Sequence, residues 1–205
     1  MKNKELKYSD EDIKRTRVIF LLFGAIVIGV ILGTLIYCMK DDKSIFLSDR
    51  LNHGFIKLSE RQSILSVFYR AISGTSLLVI LLFLSGFCSI SQPAEIFILF
   101  YRGTALGISI SYIYGVYGAK GILVSAAMIL PHALITSVVL VLAAREALRF
   151  SNLYMFYLTG QTPDESLRPQ LKLYLIRFVV LMAFVLVSSL IDCVITYLLT
   201  DVLIV

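Results

Sequence analysis

The chain has 205 residues, 58% of them hydrophobic, with a formal net charge of +5. Its mean hydropathy of +0.86 excludes an ordinary soluble domain, where roughly half the residues are apolar. Several charge-free stretches exceed the ~20 residues that cross a bilayer, so the expectation is an all-α, multi-pass transmembrane bundle of five spans whose basic surplus sets orientation and meets anionic lipid.

Residues 1–17 are polar and mix Lys2, Lys4, Lys7, Lys14, Arg15 and Arg17 with Glu5, Asp10, Glu11 and Asp12. That mixture, and the length of the apolar run behind it, do not fit a cleavable signal. The expected division is a cytoplasmic segment, 1–17, and a single transmembrane helical domain, 18–205. Val18 to Met39 is charge-free and forms the first span, with Ala25, Gly29 and Gly33 at four-residue spacing. Leu47, Leu51, Phe55 and Leu58 then alternate with Asp49, Arg50, Lys57 and Arg61 at a helical period, which predicts an amphipathic interfacial segment within 40–69. A second span follows from Ala71 to about Cys88.

The stretch from Pro93 to Gly121 is the one around which the chain is organised. Pro93 suits a first helical turn, and Gly103, Gly107, Ser111, Gly115 and Ala119 fall every fourth residue. In lipid, helices associate by close backbone approach and hydrogen bonding, and stripes of small residues permit it. Two uses compete: gripping a partner helix, or packing within the chain, the latter against Ala25, Gly29 and Gly33 of the first span. Small faces on two spans also permit a homo-oligomer.

The fourth span, Gly121 to Ala144, contains Pro131-His132, which predicts a kink at Pro131. Thr162-Pro163-Asp164-Glu165 reads as a helix start, and Leu171 to about Thr200 is the fifth span. With the N-terminus inside, the inner segments hold ten Lys and Arg against seven outside, which favours a cytoplasmic N-terminus and an external C-terminus.

Three polar groups stand inside these spans. Arg102 either serves a function within the bundle or snorkels back toward its helix N-terminus, with Glu95 about two turns away to attract it. His132 follows Pro131 and can satisfy a backbone carbonyl freed by the proline. Asp192 lies on the outer side of its span, too far along for a direct pair with Arg102. None of these forms a recognisable catalytic set. A zinc enzyme needs several close ligands, but His53 and His132 are in separate segments, and an aspartyl enzyme needs two facing carboxylates. Ser109 or Ser111 with His132 is the one conceivable nucleophilic pair. Cys38, Cys88 and Cys193 fit no metal spacing. No basic run is interleaved with aromatics, so nucleic acid is not an expected partner. No catalytic, cofactor or metal residues are assigned, and the chain is not expected to be an enzyme.

Gly86-Phe87-Cys88-Ser89-Ile90-Ser91-Gln92-Pro93, Phe100-Tyr101-Arg102-Gly103 with Gly107, Tyr117-Gly118-Ala119-Lys120-Gly121 and Ile129-Leu130-Pro131-His132 resemble the stage II sporulation protein M family from about Ser85 to Arg149. The pattern departs at Ala133, where Asn or Gly is expected, and neutral Thr136 and Ser137 stand where longer relatives carry carboxylates. The resemblance implies a multi-pass membrane protein that works with two cell-wall hydrolases, SpoIID-like and SpoIIP-like, which degrade septal peptidoglycan during forespore engulfment. The family member is the scaffold that recruits and localises them. The alternative is a permease or transporter-associated subunit, with the broken fourth helix and Arg102 lining a path.

Overall fold

The computed structural model describes residues 2–39, 64–88, 92–118, 130–159 and 167–203. They form five helices and no strands: α1 (Lys2–Met39), α2 (Ile64–Ser85), α3 (Gln92–Tyr117), α4 (Leu130–Leu158) and α5 (Leu167–Leu203). The expected interfacial segment, apart from its final residues in α2, and the Thr162–Glu165 helix start lie outside the described residues. Helix α1 runs unbroken across the expected boundary at 17/18.

Among the described residues, three stretches are long and apolar enough to cross a membrane: Thr16–Met39, Gln92–Gly115 and Arg168–Val194. The apolar part of α2, Ile72–Ser85, is shorter, and α4 carries Arg145, Glu146 and Arg149 in its middle. The described residues thus hold five helices, three of which contain long apolar candidate spans.

Side-chain partners fix the directions. Gly29 and Gly33 of α1 meet Phe100 and Thr104 of α3, and Tyr37 meets Gly115, so α1 and α3 are parallel. Gln92 bonds Asn152 and Arg102 bonds Thr136, so α3 and α4 are antiparallel. Helix α5 again opposes α4, through Phe150–Tyr174 at one end and His132–Ser188 at the other. The C-terminal residues of α2 meet the C-terminal half of α4, with Phe87 on Phe150 and Cys88 at Ser151. Successive helices thus alternate in direction.

The hub of the bundle is α4, not the α3 stretch favoured by the sequence: α4 packs against all four other helices. Ala143, Ala144 and Ala147 are fully buried, and such small side chains let neighbouring backbones come close. The core around them holds Leu22, Leu82, Leu99, Leu140, Phe178 and Val185.

The end of α2 shows how local backbone needs are met by tertiary contacts. The last carbonyls of a helix lack intrahelical partners. Here Phe87 N–H goes to Leu84 O and Gly86 N–H to Leu82 O, so Phe83 O instead accepts from the Tyr174 hydroxyl at 2.9 Å, and Cys88 O accepts from Ser151 Oγ at 2.7 Å. Gly86 leaves the space: a Cβ there would collide with the Tyr174 hydroxyl. Tyr174 also stacks on Phe150 at 4.3 Å and on Phe83 at 5.3 Å. Tyr174→Phe keeps the stack and removes the donor to a part-buried carbonyl, a hydrogen bond worth about 0.5–1.5 kcal/mol. Denaturant unfolding in detergent is expected to show this loss, and an unchanged midpoint would mean that Phe83 O has found another donor.

Candidate functional site

Two features inside the bundle use the residues singled out by the sequence. The first is the seam between α1 and α3. Gly29, Gly33, Gly103 and Gly107 are all buried. A Cβ on Gly29 would lie 2.5 Å from Phe100 O and 3.0 Å from Gly103 Cα. On Gly33 it would strike Thr104 O, on Gly103 Ile26 O, and on Gly107 Val30 O. Each glycine therefore turns a Cα–H toward a carbonyl of the opposite helix, an arrangement worth roughly 0.5–1 kcal/mol per contact. Ala25 and Ser111 are buried on the two helices, at 9% and 7% exposure. Gly115 ends the stripe against the Tyr37 hydroxyl. The two small-residue faces are thus occupied by each other within one chain, and the partner-gripping use of the stripe has no open surface between Gly103 and Gly107.

The second feature is a polar ladder across α3, α4 and α5. An Arg102 terminal N–H donates to Thr136 Oγ1 at 3.3 Å. Thr136, fully buried, donates in turn to the His132 carbonyl at 2.8 Å. On the other side of α4, His132 Nδ1 lies 3.0 Å from Ser188 Oγ and 3.4 Å from Ser188 O. Asp192, one turn beyond Ser188 on α5, acts electrostatically on both Arg102 and His132. Arg102 Nε is sealed from solvent and has no hydrogen-bond partner.

This geometry bears on the expectations for Arg102, Pro131 and His132. Arg102 does not snorkel toward its helix N-terminus. The Gln92–Asn152 bond sets the register of α3 on α4. From there Arg102 is about 15 Å along α3, and Thr136 about 24 Å back along α4, at 1.5 Å per residue. The guanidinium therefore reaches forward, deeper into the bundle, toward Thr136, and the carboxylate of Asp192 acts on it electrostatically. Pro131 stands in the first turn of α4, where its missing N–H breaks no bond of that helix; the preceding part of the expected fourth span, 121–129, lies outside the described residues. His132 turns its Nδ1 to Ser188 of the neighbouring helix.

Ser109 bonds Ala105 O in its own helix, and neither it nor Ser111 meets His132, whose serine partner is Ser188. Sequence reasoning missed Ser188 and Thr136. A signal existed: Ser188 is four residues before Asp192, so both share one helix face. Chemically, the ladder joins three helices by hydrogen bonds and charge inside an apolar bundle. Among the described residues, no group of three His, Cys, Asp or Glu is placed to hold a metal ion.

A family model described as stage II sporulation protein M matches residues 18–197. No curated protein and no solved structure was found to match. The matched range includes the glycine seam and every residue of the polar ladder, and with three helices able to cross a membrane it marks a sporulation-related membrane protein. The chain belongs to the stage II sporulation protein M family.

Proposed function

We infer that this protein is a membrane scaffold that recruits and localises SpoIID-like and SpoIIP-like peptidoglycan hydrolases at the sporulation septum during forespore engulfment. The observation that supports this most is the use made of its polar groups. Within the described bundle, Arg102, Thr136, His132 and Ser188 join helix to helix, and so do the Gln92–Asn152 and Arg177–Glu146 pairs. Such an arrangement holds a frame in shape. On this reading the protein sits in the mother-cell membrane, its N-terminus cytoplasmic and its C-terminus external, as the basic end of α1 and the basic α4–α5 end favour together.

The recruiting surface lies on outward helix faces, because the glycine seam is filled from within. Phe20, Leu77, Phe97 and Val179 represent four such faces, each more than half exposed at 72%, 58%, 66% and 68%. Photo-crosslinking residues placed at these positions in sporulating cells, followed by mass spectrometry, test the proposal. At least one position is expected to capture a cell-wall hydrolase. Capture of none, with the scaffold present at normal levels, would sink it. The permease alternative requires a wet path to Arg102, and the sealed Nε atom weighs against that.

A further inference from the structure

We propose that the groove between the C-terminal half of α4 and the start of α5 binds the headgroup of an anionic phospholipid. The groove encloses a cavity of about 300 Å³. Its floor is rigid: Tyr174 is stacked on Phe150 and held by its hydroxyl to Phe83 O. Hydrogen-bond donors converge on it from both helices, from Arg149 and Asn152 on α4 and from Gln170 and Arg177 on α5. Asn152 Oδ1 is occupied by Gln92 Nε2 at 3.1 Å, which leaves its amide N–H groups as donors. The one carboxylate in the lining, Glu146, is paired with Arg177. A guanidinium has five N–H donors and one carboxylate takes at most two in a bidentate pair, so Arg177, whose side chain is 42% exposed, keeps donors to spare. Arg149 is exposed and forms no ion pair among the described residues. The lining therefore carries a net positive charge and a surplus of donors, which suits a phosphate oxygen cluster.

The flanks identify the rest of the ligand. Phe156 and Leu173 border the groove and are 53% and 48% exposed, which gives an apolar continuation beside the basic floor. The span Arg168–Val194 has 27 residues, about 40 Å of helix, enough for the hydrocarbon core and one headgroup layer. Its first turns, which carry Gln170 and Tyr174, fall at headgroup depth. A charged head and a hydrophobic tail are thus accommodated side by side.

The test uses the full chain in nanodiscs of phosphatidylglycerol and phosphatidylcholine in equal parts, with retained lipid counted by native mass spectrometry after release. Preferential retention of phosphatidylglycerol is expected. Arg149→Gln should lower it about tenfold, the weight of a charge-assisted hydrogen bond, while Arg149→Lys, which keeps the charge, restores most of it. Arg149 is exposed, so the thermal melt of both variants should match the parent. Arg177→Gln gives a second reading from the α5 side and should also reduce retention. Equal retention of the two lipids, or undiminished retention in both the Arg149→Gln and Arg177→Gln variants, overturns the proposal. Inorganic phosphate that displaces the lipid at millimolar concentration would assign the groove to a free phosphate and overturn the lipid assignment. Persistence of the lipid in phosphate supports it.

Discussion

Gly107→Leu is expected to open the α1–α3 seam and to leave little correctly folded protein. The reason is geometric. At Gly107 even a methyl group would land on Val30 O and within 3.0 Å of its carbonyl carbon and 3.1 Å of Thr34 N. These are backbone atoms in the middle of a helix, so no side chain can rotate aside. Overpacking a core generally costs about 1–3 kcal/mol when neighbours can shift, and here relief requires moving α1 as a whole. That movement also removes the facing contacts at Gly29, Gly33 and Gly103, so one substitution cancels four close approaches. Gly107→Ala should show a smaller loss of the same kind. Gly74, by contrast, has open space where a Cβ would stand, and Gly74→Ala is expected to be neutral or stabilising by a few tenths of a kcal/mol through helix propensity. Cysteine pairs placed across α1 and α3 would report the seam directly: cross-linking should fall sharply in Gly107→Leu and persist in Gly74→Ala. Unchanged cross-linking and stability in Gly107→Leu would refute the seam. This expectation also alters what the substitution can say about recruitment. A hydrolase lost from Gly107→Leu would be lost with the fold, so outward positions such as Val179 must carry that question.

The sequence made the long apolar helices and the small-residue spacing legible because both are local, periodic properties. Val18–Met39 and the Gly103–Gly107 stripe needed no partner to be seen. Where α4 lies was harder to see. The cluster Arg145, Glu146 and Arg149 resembles the exit from a membrane, yet α4 continues to Leu158. It does so because Glu146 is paired with Arg177 of α5 and Ala144 and Ala147 are buried on either side. Pairing across helices is not a local signal. The polar site was half visible for the same reason. Arg102, His132 and Asp192 stand out because charge is rare in apolar runs, whereas Thr136 and Ser188 are ordinary residues in such helices and acquire a role only once α3, α4 and α5 are in register. The direction of the Arg102 side chain stayed open because snorkelling is a statement about an isolated helix, and a hydroxyl on a neighbouring helix outweighs it.

That register also determines the effect of removing the counter-charge. Asp192→Asn is expected to lower stability, because it removes an opposite charge that acts on a guanidinium inside the bundle. The carboxylate acts on Arg102 and His132 together, so its loss leaves the guanidinium with one hydrogen bond to Thr136 and an enclosed Nε. Arg102→Met should be costly too, since Asp192 then keeps its charge in an apolar bundle. The double substitution Arg102→Met with Asp192→Asn removes both charges, so neither is left without the opposite charge that acts on it. The double variant is therefore expected to be more stable than Asp192→Asn alone, a coupling well beyond the ~0.3–0.5 kcal/mol within which independent sites add. Denaturant unfolding in one detergent, applied to all four proteins, measures the cycle. Additive losses, with the double variant the least stable, would mean that Arg102 and Asp192 do not share a charge balance and that each is held by its own surroundings. A strong coupling would establish the ladder as one electrostatic unit, in which the charge on α5 keeps the arginine of α3 in place through the hydroxyl and ring of α4.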